Sequence, residues 1–387
     1  MADLVVHSAR KIDANGEVDG FWFAASDGVV SATGDGEGWH AHAGVEASVI
    51  DAHGLHLTPG FIDLHGHGGG GFAFDDGAYA IEQALAVHRA HGTTRSVISL
   101  VANPVDELRA SLAVVADLVV EDPLVLGSHL EGPFLAEERK GAHNADFLID
   151  PSPAVVEQLI AAARGTLHQI TLAVERPNAL EAIDVLVEAG VLVAVGHTTA
   201  GFDAARQAFD RGARLLTHAF NAMPGIGHRA PGPIVAALED PRVTLELILD
   251  GVHVHPSVAR LAFDEAAGRV ALITDAMAAA GSSDGVYALG SLDVTVADGI
   301  ARLRNADGSL GSIAGSTLTL DVAVRNAIEL VGISPVAAIA AVTSVPARAL
   351  GLDHRLGLLA PGHAADAVLL DHDWAVRGVW GAGARIA

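Results

Sequence analysis

Val125–Phe134 reads VLGSHLEGPF, a short apolar run that ends on a carboxylate, Glu131. Other runs end the same way: FIDLHGH (61–67) on His65 and His67, VLVAVGHT (191–198) on His197, RLLTHAFNAM (214–223) on His218, and VALITDAM (270–277) on Asp275. Near-continuous apolar runs of this length are the signature of parallel strands buried on both faces. In α/β barrels the reacting groups sit at the carboxyl ends of the strands. Imidazoles and carboxylates converging from separate strand ends suit a divalent ion such as zinc or iron. The pattern therefore predicts a metal-dependent hydrolytic barrel.

Working outward, strand candidates fall at 61–67, 94–100, 125–131, 168–174, 191–197, 214–219, 243–250 and 270–275, with helical patterns between them. Asn103-Pro104 offers a cap and a first-turn proline, followed by Leu108, Leu112 and Val115 at helical spacing. Ser152-Pro153 repeats that opening and Gly165 closes it, while Phe202, Ala205 and Phe209 give another apolar face. This alternation predicts a (β/α)8 barrel over 58–359. Residues 1–57 and 360–387 read as short strands punctuated by glycine turns, and are expected to form one β-sandwich domain from both termini. Residues 281–315 break the rhythm with alternating residues around ADG and NADG turns, so they read as inserted hairpins. Placed after the eighth strand, they are either a cover for the active site or a passive surface insertion.

Composition narrows the function classes. Of 387 residues, 50% are apolar, enough for a large core, and the formal charge is −24. That charge disfavours nucleic acid and anionic membrane surfaces as partners, and an anionic substrate needs a local cationic pocket. Mean hydropathy is +0.38, yet no apolar run reaches the roughly 18 residues of a spanning helix. No secretory leader is legible at the N-terminus, and the expected location is cytoplasmic. There is no cysteine, which removes disulfides, thiolate ligands and cysteine nucleophiles together. Lys11 and Lys140 are the only lysines, and neither ends a strand candidate.

Among 20 histidines, most are read as ordinary core or surface residues. His65, His67, His197 and His218 stand apart by position. Glu131 is either a ligand or a buried carboxylate paired with an arginine, and its apolar run favours the first because an unpaired buried charge is costly. In His65-Gly66-His67, strand alternation sends both imidazoles to one side. The glycine run that follows reads as a tight turn leaving room for substrate.

At this point the motifs PGFIDLHGHGGGG, HLEGPF, KGAHN, GHTTA, THAFNAMP, DGVHVHP, ITDAM and AGSTLTL, in this order, closely resemble those of N-acetylglucosamine-6-phosphate deacetylases within the amidohydrolase superfamily. The closing GLLAPGHAADAVLLD is similar to that superfamily's tail. The resemblance implies a homodimeric enzyme in which Glu131, His197 and His218 hold the principal ion. His65 and His67 match variants that hold a second ion, so one or two per subunit are implied. It makes Asp275 the proton relay, with a plain metal ligand as the alternative, and His143 a stabiliser of the oxyanion. Substrate contacts are implied for Ala142, His143, the backbone N–H groups of Asn221 and Ala222, Arg229, His253 and Ile313. Arg229 has the alternative of pairing with Glu239 or Asp240, and Ile313 that of core packing. Many amidohydrolases bridge two metals with a carbamylated strand lysine, which the placement of Lys11 and Lys140 disfavours. A D-amino-acid deacetylase or cyclic amidase shares the metal logic but leaves NAMP and Arg229 unexplained. A catalytically silent sugar-phosphate sensor leaves the filled acid/base position unexplained.

Overall fold

The computed structural model describes residues 2–305 and 307–387. All eight barrel strands form, in sequence order within one sheet: Phe61–Asp63, Thr93–Leu100, Val125–Glu131, Leu167–Leu172, Leu192–Val195, Leu215–Leu216, Thr244–Ile248 and Val270–Ile273. They make a nearly closed parallel barrel, the fold the apolar runs predicted. Most strands stop short of their candidate site residue. His65, His67, His197, His218 and Asp275 therefore lie just past strand ends, where backbone direction is free to change.

Two compact units divide the chain: Met1–Asp63 with His88–Arg95 and Leu320–Ala387, and Leu64–Val87 with Ser96–Thr319. These limits differ from the expected 57 and 360 because the first barrel strand and the helices Leu320–Asn326, Pro335–Val342 and Ser344–Ala349 group with the terminal segments. In the first unit, strands from both termini share a mixed sheet of eight. Alternation along Ala2–Asp13 and Gly16–Ser26 sends Leu4, Val6, Phe21 and Phe23 to one face. There they join Val30, Leu57, Leu369 and Trp380 from both chain ends. Val5, Trp22 and Ala24 go to the opposite face and form a smaller cluster.

In the second unit, Ser152 caps Pro153–Ala162 as its sequence suggested. Asn103 does not cap the helix Val105–Glu121; its side chain instead reaches Asp75 at 3.5 Å, and Pro104 holds the cap position. The insertion folds into a four-stranded antiparallel sheet, Gly285–Leu289, Leu292–Ala297, Ile300–Arg304 and Leu310–Ile313. Leu289, Val294, Val296 and Ala301 pack with Val101, Met277 and Ala279, so the insertion has a core shared with the barrel rim.

In the first unit Arg95 is held by Asp366 through Nε–Oδ2 at 2.7 Å and Nη2–Oδ1 at 3.1 Å, both side chains being buried. Asp366 Oδ1 also accepts the Ala382 N–H at 2.7 Å. Removing one partner of a buried ion pair leaves the other charge desolvated, at a cost of about 3–5 kcal/mol. Asp366→Ala is expected to lower stability by that order in denaturant titration; a change under about 1 kcal/mol would contradict this role.

Candidate active site

Backbone hydrogen bonds join the segments that carry the candidate ligands His65, His67 and Asp275. Asp275 N–H donates to the His65 carbonyl at 2.8 Å, and His67 N–H donates to the Ala276 carbonyl at 2.7 Å. His65 and His67 are thus set side by side by loop hydrogen bonds rather than by strand alternation, since the strand ends at Asp63. The glycines that follow do not open the cavity. Gly68–Gly69 pair with Phe72–Ala73 in a small hairpin, and none of the four lines the pocket.

Three of these residues adopt left-handed backbone: His197 at φ 46°, His218 at φ 25° and Asp275 at φ 46°. Such conformations cost about 1–3 kcal/mol each and cluster where a side chain must be aimed. Gly196 lets the His197 turn pass closely over its neighbours, because a Cβ there would lie 2.6 Å from Cβ of Thr217.

At the centre stands Glu131, 4% exposed. Its Oε1 lies 3.1 Å from Nε2 of both His197 and His218, and those two nitrogens are 3.0 Å apart. Its Oε2 lies 3.1 Å from Nε2 of both His67 and His143. A second cluster joins Nε2 of His65 and His67, 3.1 Å apart, with Oδ1 of Asp275 at 3.6 and 3.5 Å. Four-coordinate zinc with nitrogen ligands at about 2.0–2.1 Å sets ligand atoms about 3.3 Å apart. Both clusters have that spacing, and Glu131 has one oxygen toward each.

Hydrogen bonds behind the rings set their protons. His197 Nδ1 donates to the Arg139 carbonyl at 2.7 Å, so its neutral ring presents a bare Nε2 lone pair. His65 Nδ1 faces Glu246 Oε2 at 3.2 Å, with the same consequence. Lone pairs and a carboxylate oxygen crowded within about 3 Å repel unless a cation lies among them, so the donor set fits a divalent ion. His143 is oriented the other way: its Nδ1 accepts the Ala102 N–H at 3.2 Å, so its Nε2 carries the proton toward Glu131. It is a hydrogen-bond donor to the site.

The electrostatics follow. Burial opposes charge on Glu131, but His65 and His197 beside it hold the carboxyl well below its usual range. Burial likewise opposes charge on His65 and His197, yet Glu131 outweighs it and raises both. His143 is pushed down to about 4 by burial, which its contact with Glu131 only partly offsets, and stays neutral. Burial also works against a charged His253, but the bond from its Nδ1 to Asp250 Oδ2 at 2.7 Å raises its pKa.

Glu131, His143, His197, His218 and His253 line a cavity of about 620 Å³. Ala142, His143, Asn221, Ala222, His253, Asp275 and Ile313 all belong to its wall. Ile313 arrives with Leu289, Leu303, Asn305 and Ser312, so the inserted sheet walls the site. Asn221 N–H already donates to the His218 carbonyl at 3.0 Å and its side-chain amide to the same oxygen at 3.1 Å, so Asn221 shapes the turn. Ala222 N–H makes no hydrogen bond among the described residues. Arg229 and His228 are exposed and outside the wall. The lysine and arginine side chains in it are Lys140 and Arg139, and Arg139 escaped the sequence reading because only folding brings its loop to the mouth. Glu246 also escaped, although an acid inside TLELI was a visible signal.

Residues 56–384 match the model of the amidohydrolase family. The chain belongs to the amidohydrolase family. This amidohydrolase is 38% identical to N-acetylgalactosamine-6-phosphate deacetylase of Escherichia coli O157:H7, with 97% of each chain covered. It is 35% identical to N-acetylglucosamine-6-phosphate deacetylase of Vibrio furnissii over 84% of this chain and 81% of that one. Its structure is similar to N-acetyl-D-glucosamine-6-phosphate deacetylase from Mycobacterium smegmatis in complex with N-acetyl-D-glucosamine-6-phosphate, at TM-score 0.93 and 40% identity with 100% of both chains covered. Enamidase, at 15% identity and TM-score 0.65, shares the fold.

Donor atoms only 3.0–3.1 Å apart share protons when no ion lies among them, and coordination must displace those protons. Zinc uptake by metal-depleted protein is therefore expected to release protons, read by calorimetry in buffers of different ionisation enthalpy. Uptake without proton release would contradict the assignment.

Proposed function

We propose that this amidohydrolase hydrolyses N-acetylglucosamine 6-phosphate to glucosamine 6-phosphate and acetate. The observation that carries the reading is one cavity wall holding the Glu131, His197 and His218 cluster together with Asp275 and the proton-bearing Nε2 of His143. Likeness along the whole chain to deacetylases of amino-sugar phosphates supports it. Zinc or iron, one or two ions per subunit, suits the nitrogen and oxygen donors.

Glu131, His197 and His218 would hold a divalent ion, which would supply Lewis acidity and lower the pKa of a nearby water toward about 7. Asp275 accepts the proton of the attacking water as its oxygen bonds to the acetyl carbon. It then returns that proton to the sugar nitrogen as the C–N bond breaks, since an amide nitrogen leaves poorly unprotonated. His143 donates from Nε2 to the acetyl oxygen as charge develops there. Ala142 and Ile313 flank the acetyl end, and His253, held by Asp250, meets the sugar. The Ala222 N–H and Arg229 bind the phosphate, with Arg229 reaching in from the exposed loop, in this chain or from a second copy in a homodimer. The cytoplasm is the proposed location of this activity.

The second reading is the same hydrolysis on N-acetylgalactosamine 6-phosphate, favoured by the 38% identity with the Escherichia coli enzyme. Acetate release from both epimers, compared by kcat/KM, distinguishes them. Failure to release acetate from either with metal present would overturn the proposal.

Asp275→Asn is expected to keep the ion of the Glu131, His197 and His218 cluster and lose turnover by at least about a hundredfold, as general acid–base groups contribute that much. Loss of metal with surviving turnover would contradict the relay. Arg229→Ala is expected to raise KM for the phosphorylated sugar by about 10–100-fold, the worth of a hydrogen bond to a charged group, and far less for unphosphorylated N-acetylglucosamine. If Arg139→Ala does so instead, the phosphate is read by the segment around Lys140.

A further inference from the structure

Glu246, in the strand Thr244–Ile248, has 0% of its surface exposed. Its Oε2 lies 3.2 Å from His65 Nδ1 and 3.4 Å from the His218 N–H, and its Oε1 accepts from Gln169 Nε2 at 2.7 Å. Among the described residues no lysine or arginine pairs with it. A carboxylate taken wholly out of water costs several kcal/mol unless positive charge compensates it. Among the described residues, the route to such charge is the His65 ring, whose far nitrogen faces His67, Asp275 and Glu131.

We propose that Glu246 is a positioning residue for the ion held by His65, His67 and Asp275. It fixes His65 with its proton on Nδ1 and its lone pair on Nε2, and its buried charge is the counterweight to that ion. A carboxylate behind a ligating imidazole orients the ring and raises its basicity, and losing such a partner typically lowers metal affinity 10–100-fold. Among the described residues, the Glu131, His197 and His218 cluster meets Glu246 directly through the His218 backbone N–H, so the first ion is expected to depend on it far less. This rests on the reading of His65 and His67 as ligands of a second ion.

Glu246→Gln tests the charge while keeping the shape. Gln169 Oε1 is buried without a hydrogen-bond partner, so the Gln169 amide can turn and accept the new NH2 group, leaving the substituted side chain's oxygen for His65. The experiment is equilibrium dialysis of metal-depleted full-length protein against buffered zinc, with bound zinc counted per chain. The wild type is expected to take up two ions, and Glu246→Gln to bind the first as the wild type does and the second about 10–100-fold more weakly. Equal affinity for both ions in wild type and variant would overturn the proposal alone. Parallel loss of both ions would also overturn it, since that marks general damage. A wild type that takes up only one ion would overturn the second-ion reading and this proposal with it. If the variant does not fold, nitrogen-15 spectra of the zinc-loaded wild type decide: the His65 proton is expected on Nδ1, and a proton on Nε2 would overturn the proposal.

Discussion

One buried carboxylate organises this site. Glu131 faces the Nε2 atoms of His65, His67, His143, His197 and His218, all between 3.1 and 3.4 Å away. An anion with so little solvent contact persists only where positive charge or hydrogen-bond donors surround it. His143 supplies a donor, because its other nitrogen is occupied by a backbone N–H. His65 and His197 supply lone pairs, because their other nitrogens face a carboxylate and a carbonyl. The groups behind each ring thus divide these imidazoles into bearers of a free lone pair and a proton donor.

The barrel makes this division possible. Parallel strands deliver Glu131, His197, His218 and Asp275 to one rim, and the short left-handed turns at three of them aim the side chains inward. The segment after Glu131 then serves twice. The Arg139 carbonyl locks the His197 ring, and Gly141, at φ 56°, passes so near that a Cβ would sit 3.1 Å from His197 Cε1. The same segment sets His143 against Glu131 and places Arg139 and Lys140 at the cavity wall. The orientation of the His197 ring and the positive charge on the cavity wall are therefore mechanically joined over a few residues.

Much of this was legible in the sequence because strand ends announce themselves. An apolar run ending in Glu131-Gly132 or Gly196-His197 marks a strand, its terminus and a polar group at the rim together. The two-residue strand at Leu215–Leu216 was still readable, since Thr217 and His218 extend the same run. The barrel interior was less legible. Glu246 and Gln169 meet across 77 positions of sequence, and only barrel closure makes a pair of them. Arg139 is an ordinary charged loop residue until the His197 ring anchors its carbonyl. The glycine run after His67 was ambiguous in sequence, since a turn beside a site and a hairpin outside it share one composition. Asn103 reads as a helix cap in isolation, and its use by Asp75 depends on a neighbour 28 residues away.

The claim most open to direct measurement is that cations take the place of repulsion among these converging donor atoms. Anomalous diffraction from zinc-loaded crystals addresses it. The account predicts one peak bounded by Glu131, His197 and His218 and a second bounded by His65, His67 and Asp275, with the Glu131 carboxylate between them. Bound zinc lying outside this cluster, or none retained by it, would contradict the account.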